Sequence, residues 1–441
     1  MVDHDLSSIQ LLQRQAASLL LYQTVLEGAV GEAFLRLLQA LEQRDASGIS
    51  GLRAYGDWFK ALASENVSWQ TWILLQILRA DNPFTRQVQQ TSLTDLPPAL
   101  VAAVQHDLRT LQTLYRCDSQ KLSQWVQSIS GIAPTPWVLD AAHVGQVEEK
   151  TLRAWPIWNQ FETIADWATL VEPLANHHRQ FGSGQFASYR AFRWQADQLV
   201  GVAHPDPIQL EELVGYEIQK ATLVQNTEAL LAGYTALHVL LYGSRGSGKS
   251  SLVKALLHRY WQQGLRLIEV SKANLNHLPA IVNSLRQVPQ KFIIFVDDLS
   301  FEEDDDAYKA LKVVLEGNIT ARPQNVVVYA TSNRRHLIRE FFGDRPRPSD
   351  ADEIHAWDTV QEKLSFSDRF GLTLTFEPAD QTTYLEIVQH LAQLAAIPLG
   401  ASELEFRALQ WATRHNGRSG RTARQFIDSL QAELGLSAPK L

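Results

Sequence analysis

From Leu240 to Ser250 the chain reads Leu-Leu-Tyr-Gly-Ser-Arg-Gly-Ser-Gly-Lys-Ser. An apolar run, a turn with three glycines and a helical pattern (Leu252, Val253, Leu256, Leu257) follow one another. Few folds accommodate that succession. A buried strand must pass the chain to a helix through a loop whose backbone conformations only glycine adopts cheaply. Gly243, Gly248, Lys249 and Ser250 satisfy the spacing G-x-x-x-x-G-K-[ST]. Such a loop turns successive N–H groups inward on an anion, and the new helix adds the positive end of its dipole. Gly243, Ser244, Arg245, Gly246, Ser247, Gly248, Lys249, Ser250 and Ser251 are therefore the expected cradle of a nucleotide's phosphates. Lys249 is expected on the β- and γ-phosphates, and the Ser250 hydroxyl on Mg²⁺. The rival reading is a chance glycine-rich turn, and the strand before it and helix after it argue against that.

The chain around this loop has 441 residues, too many for one ordinary core. Hydrophobic content of 45% and charged content of 20% describe a globular protein. A formal charge of −8 gives no global attraction to nucleic acid or an anionic membrane, though a local basic patch stays possible. One cysteine, Cys117, excludes an internal disulfide and a thiolate metal cluster. With an acidic start, no apolar signal core and no run of bilayer length, the expectation is a cytoplasmic protein with no membrane span.

Residues 1–175 read as a helical domain. Leu11, Leu12, Ala16, Leu19 and Leu20 recur at helical spacing, as do Phe34, Leu37, Leu38 and Leu41. Breaks fall at 45–51, Asn82-Pro83, Leu96-Pro97-Pro98 and 133–136. Nine tryptophans (Trp58, Trp69, Trp72, Trp125, Trp137, Trp155, Trp158, Trp167, Trp194) lie in or just after it. With no interleaved Lys and Arg they read as core rather than a platform for bases. His177-His178, lacking ligand partners at metal spacing, read as surface residues. Residues 176–207 read as a linker with a glycine-rich turn at 181–186, closing on His204-Pro205-Asp206-Pro207. From 208 to 377 strands and helices alternate. Strands are expected at Val239–Tyr242, Leu267–Val270, Phe292–Val296, Val326–Ala330 and Leu372–Phe376, in a parallel sheet covered on both faces. Residues 345–365 read as irregular, and 378–441 as a small helical unit.

Two more strand ends carry chemistry. Phe292–Val296 leads into Asp297 and Asp298. With the glycine loop about fifty residues upstream, Asp297 reads as the Mg²⁺-side acid and Asp298 as the residue that orients or polarises water. Alternatively the pair only caps a turn. Val326–Ala330 leads into Thr331-Ser332-Asn333, where side chains gather at the carboxyl ends of parallel strands. Asn333 is the expected probe of the γ-phosphate or attacking water, with Thr331 a second candidate.

This series resembles the AAA+ ATPases, and implies a three-layer α/β P-loop core with a C-terminal helical lid behind an α-helical N-terminal domain. More narrowly, residues from about 180 onward resemble a bacterial AAA+ family known as a domain of unknown function, number 815. Phe181–Gly184, His204–Pro207, Leu213–Glu217, Asp297–Glu302, Ala330–Arg335 and Arg418–Arg424 carry that likeness. The resemblance implies that Val214 and Gly215 pack on adenine. It also implies that Arg369 acts in trans as an arginine finger, and that Arg421 or Arg424 is the lid arginine on the phosphates; spacing leaves those two open. It implies hydrolysis of Mg²⁺-ATP and assembly as a ring or filament; residues 1–175 gain little from it, and a protein partner bound by that N-terminal domain is a separate expectation. One departure is Asp298 where most of the superfamily has Glu, about 1.5 Å less reach, which slows hydrolysis or recruits Glu302. Ser271-Lys272-Ala273-Asn274 stands where a threading motor has its aromatic pore loop. A DNA-associated loader, suggested by Asp297-Asp298 and Arg334-Arg335, and a slow nucleotide-gated scaffold are the alternatives.

Overall fold

The computed structural model describes residues 3–43, 45–139, 155–300, 306–316, 322–333, 365–415 and 417–437. The chain divides into two units, Met1–Ser188 and Tyr189–Leu441.

The first unit is helical among its described residues. Its apolar stripes meet in an aromatic core, where Phe34 stacks on Trp69 (ring centroids 4.2 Å apart) and Trp69 on Trp72 (5.4 Å). Of the nine tryptophans named above, eight lie in this unit, seven of them buried; Trp137 is half-buried and donates its indole N–H to Val67 O at 2.9 Å, and buried Trp194 belongs to the second unit. The breaks do what their residues dictate. Asn82 accepts the Phe84 and Thr85 amides as cap of the helix Pro83–Gln87, and Pro98 opens the helix Pro98–Tyr115. Fully buried Asp107 is used structurally, accepting the Leu20, Leu21 and Tyr22 amides at 2.7–3.0 Å. His177 and His178 are not surface residues. They lie buried in the helix Val171–Phe181, His177 packed against Trp155 and Phe181 and His178 beside it with Nδ1 3.0 Å from Gly182 O, so the lack of metal-ligand partners did not put them at the surface.

The second unit holds a seven-stranded sheet: β1 (Ala191–Gln195), β2 (Gln198–Val202), β3 (Val239–Gly243), β4 (Leu265–Glu269), β5 (Lys291–Val296), β6 (Val326–Ser332) and β7 (Leu372–Phe376). Their order is β2-β1-β4-β5-β6-β3-β7, parallel except for the β1–β2 hairpin. Near-continuous apolar runs form β5 and β6 because helices cover both faces; every residue of β6 is buried. β3 lies between β6 and β7, so the glycine loop leaves the sheet where the chain crosses over.

Residues 191–202, read from sequence as part of a linker, are strand. Ala196 and Asp197 both take left-handed conformations (φ +47° and +61°), the backbone of a two-residue hairpin turn without its usual Asn-Gly signal. Gly201 is required there, since a Cβ would lie 2.2 Å from the Tyr189 ring. Three helices, Gln381–Leu394, Ala401–Arg414 and Gly420–Ser437, close a separate small core around Tyr384, Val388, Ala408 and Ile427. Residues 345–364 of the expected irregular piece lie outside the described residues, as do Glu302, Arg334 and Arg335. No helix among the described residues is long and apolar enough to cross a membrane.

Candidate functional site

At the carboxyl end of β3 the backbone turns on glycines. Gly243 has φ +134°, and a Cβ there would come within 2.0 Å of Phe376 O, which also accepts the Ser244 amide at 2.9 Å. Gly246 (φ +75°) and Gly248 (φ +90°) complete the loop, and Ser247 Oγ closes it by donating to Ser244 O at 2.9 Å. The helix Lys249–Tyr260 begins on Lys249. Its ammonium donates to Gly243 O (3.0 Å) and Ser244 O (2.6 Å). Burial pushes the Lys249 pKa down and the Asp297 and Asp298 charges pull it back up; Arg421 pushes it down further.

The acids stand at the tip of β5, both exposed. Ser250 Oγ donates to Asp297 Oδ1 at 2.6 Å, and buried Thr331 donates to the same oxygen at 2.5 Å. Thr331 Oγ1 also accepts the Asp298 amide at 2.9 Å. Asp298 takes a left-handed conformation (φ +51°), uncommon outside glycine. Its Oδ1 accepts the Asn333 side-chain amide at 2.6 Å.

These groups share one cleft of about 660 Å³. Its other end is apolar: Ile208 and Leu213 from the segment before the helix Glu217–Leu231, Ile387 and Leu391 from the first lid helix, with Val214 and Gly215 between. Gly215 (φ +83°) and Tyr216 (φ +58°) both turn left-handed, so the chain kinks sharply as it passes the cleft. Arg421 and Arg424 reach the cleft from the lid. They differ in partners. Arg424 pairs with Glu212 at 2.7 Å, whereas the Arg421 guanidinium makes no hydrogen bond or ion pair among the described residues. The Arg421 amide donates to Gly246 O at 3.2 Å, joining lid to glycine loop.

The cleft thus brings together Val214, Gly215, Arg245 through Ser251, Asp297, Asp298, Asn333, Arg421 and Arg424. Gly243 and Ser244 form the back of the loop rather than its lining. Arg369 lies outside the cleft, half-buried and paired with Glu316. Sequence reasoning missed Glu212, Lys220, Ile387 and Leu391, which line the cleft and carry no motif signal beyond apolar or charged character. Ser250 and Asp297 offer a hydroxyl and a carboxylate, hard oxygen donors that suit Mg²⁺. Among the described residues no cluster of three His, Cys, Asp or Glu exists that could hold a metal.

A parallel sheet in this order, a glycine loop at the strand β3 beside the edge strand β7, acids on the next-but-one strand and a helical lid define a P-loop protein of the AAA+ class. The chain belongs to the family described as "Protein of unknown function (DUF815)", whose profile matches residues 187–434. No curated protein matches it. Among solved structures it is similar to the Thermotoga maritima RuvB Holliday junction branch migration motor, at 17% identity and a TM-score of 0.31, over 51% of this chain and 72% of that one. A mutant of that protein gives 16% and 0.33 over the same shares.

Proposed function

We propose that the chain binds Mg²⁺-ATP in this cleft and hydrolyses the β–γ phosphoanhydride, using the cycle to remodel a protein partner held through residues 1–175. The observation that carries the reading is the 2.6 Å contact between Ser250 and Asp297, which unites the glycine loop and the β5 tip beside the Lys249 ammonium. ATP and water give ADP, orthophosphate and a proton. Loop amides hold the phosphates, and Lys249 exchanges its two loop carbonyls for phosphate oxygens. Asp298 orients water and accepts its proton, with Asn333 fixing the carboxylate. Mg²⁺ held by Ser250 and Asp297 supplies neutralisation of phosphate charge. Arg421, whose guanidinium is uncommitted, takes the γ-phosphate; Arg424 instead braces the base side through Glu212. Arg369 serves a neighbouring copy's cleft in a ring or filament.

Calorimetry with Mg²⁺-ATP and steady-state turnover test this. Lys249→Ala is expected to abolish binding. Asp298→Asn is expected to keep binding and lower turnover about 10²-fold or more. Absence of heat with Mg²⁺-ATP would sink the reading. One observation favours a second, a nucleotide-gated switch that turns over slowly: the short Asp298 side chain is already engaged by Asn333. Tight binding with negligible wild-type turnover selects it.

A further inference from the structure

A second cleft, of about 710 Å³, opens on the outer side of the glycine loop. It shares Arg245, Gly246 and Arg421 with the nucleotide cleft, so only the loop itself separates the two. Arg418, from the turn before the helix Gly420–Ser437, adds a third guanidinium. All three arginines are exposed, and none makes a side-chain hydrogen bond or ion pair among the described residues. Asp380 senses Arg418, but its Oδ1 is committed to the Thr383 amide at 2.8 Å as cap of the helix Gln381–Leu394. The first amides of the helix Gly420–Ser437 are also spent, Arg421 on Gly246 O and Thr422 on Ser419 Oγ. The side chains therefore make the site.

Three like charges around one cavity repel each other, and an oxyanion between them relieves that repulsion while matching guanidinium forks to tetrahedral oxygens. Continuity with the nucleotide cleft through Arg421 says where such an anion comes from. We propose that the second cleft is an oxyanion site and the exit for orthophosphate cleaved from ATP, received from the loop side by Arg421 and released past Arg418 while ADP is still bound. The origin of the phosphate rests on the hydrolase reading above; the existence of the site does not.

The test uses the full chain and inorganic phosphate. Calorimetric titration is run with and without saturating Mg²⁺-ADP, on wild type, Arg418→Ala and Lys249→Ala. With Mg²⁺-ADP filling the nucleotide cleft, one phosphate per chain is expected in wild type. Arg418→Ala weakens it about tenfold, the loss of one charge-assisted contact, and leaves Mg²⁺-ADP binding unchanged. Lys249→Ala, which removes nucleotide binding, leaves the phosphate site intact. In single turnovers the interval between cleavage, read by acid quench, and free phosphate, read by a fluorescent phosphate sensor, lengthens in Arg418→Ala. Phosphate that binds only without Mg²⁺-ADP, or equally well to Arg418→Ala, overturns the site. An unchanged interval overturns the exit. Arg418-dependent retention of a duplex oligonucleotide without phosphate heat would assign the cleft to phosphodiesters and overturn both. Arg418-dependent phosphate heat in a chain that gives no heat with Mg²⁺-ADP would leave the site standing and strike the nucleotide reading instead.

Discussion

Thr331 holds the two acids of β5 to the tip of β6, and replacing it by valine tests whether that tie governs the site. Valine keeps the shape and deletes the hydroxyl. Two bonds go: the 2.5 Å donation to Asp297 and the 2.9 Å acceptance from the Asp298 amide. Asp297 is exposed and can turn to water, so most of the cost falls on the Asp298 amide, partly buried and left without its acceptor. That costs about 1–3 kcal/mol. For a unit of this size the expected fall in Tm is about 3–10 °C. The functional effect should exceed the structural one. Asp297 loses the bond that fixes its orientation toward Ser250, and support of a metal-side carboxylate is commonly worth about 10–100-fold in metal affinity or activity. The assay is turnover against Mg²⁺ concentration, with Tm measured on the same samples. Thr331→Ser retains Oγ and should restore both. A folded Thr331→Val chain with unaltered Tm and an unaltered Mg²⁺ requirement would refute the coupling.

Other outcomes follow from the same contacts. Burial, with the Arg322 charge adding to it, pushes the His238 pKa down to about 3, and burial pushes His178 down to about 4; both rings are kept neutral. An unfolded histidine titrates near 6.5, so below that pH the unfolded chain binds more protons. Each contribution is full above about 6.5 and is lost at about 1.4 kcal/mol per pH unit as pH falls toward the folded values; equal urea midpoints at pH 7.5 and 5.5 would contradict this. In Gly246→Ala the new Cβ meets Ser419 Oγ at 2.8 Å and Arg421 Cβ at 3.2 Å at a left-handed φ, so the lid must shift. Weaker nucleotide binding by calorimetry is expected, with a stability loss of about 1 kcal/mol. Arg421→Ala should lower turnover far more than Arg424→Ala, and Arg424→Ala should mainly raise KM; equal kcat losses would show that the Glu212 pairing does not separate their roles.

The parts of the fold that could be read from the chain were those whose signal is local. β3, β5 and β6 announce themselves because burial on both faces demands unbroken apolar runs, and β7 by the apolar alternation Leu372, Leu374, Phe376; the observed bounds of the four exceed the expected ones by two residues at most. The β1–β2 hairpin gave no such signal. Its turn is Ala196-Asp197 rather than a glycine pair, and its strands are short and partly exposed. What makes 191–202 strand is the parallel pairing of β1 with β4, a partner some seventy residues away that no local pattern encodes.

The lid arginines show the same limit within the site. Arg421 and Arg424 stand one turn apart on the helix Gly420–Ser437 and face the same cleft, so helical spacing treats them alike. What separates them is Glu212, 212 positions before Arg424, which claims one guanidinium and leaves the other. His390 adds a second tie between the lid and that segment, its Nε2 lying 2.7 Å from Glu211 O. The segment that lines the apolar end of the cleft therefore claims one arginine and leaves the other available beside the glycine loop. Exchanging Glu212 for Gln would weaken its hold on Arg424 without touching a phosphate contact. If Arg421→Ala then lost less turnover in the Glu212→Gln background than alone, Arg424 would have taken over. Full additivity would instead mean that position along the helix, rather than the Glu212 pair, distinguishes them.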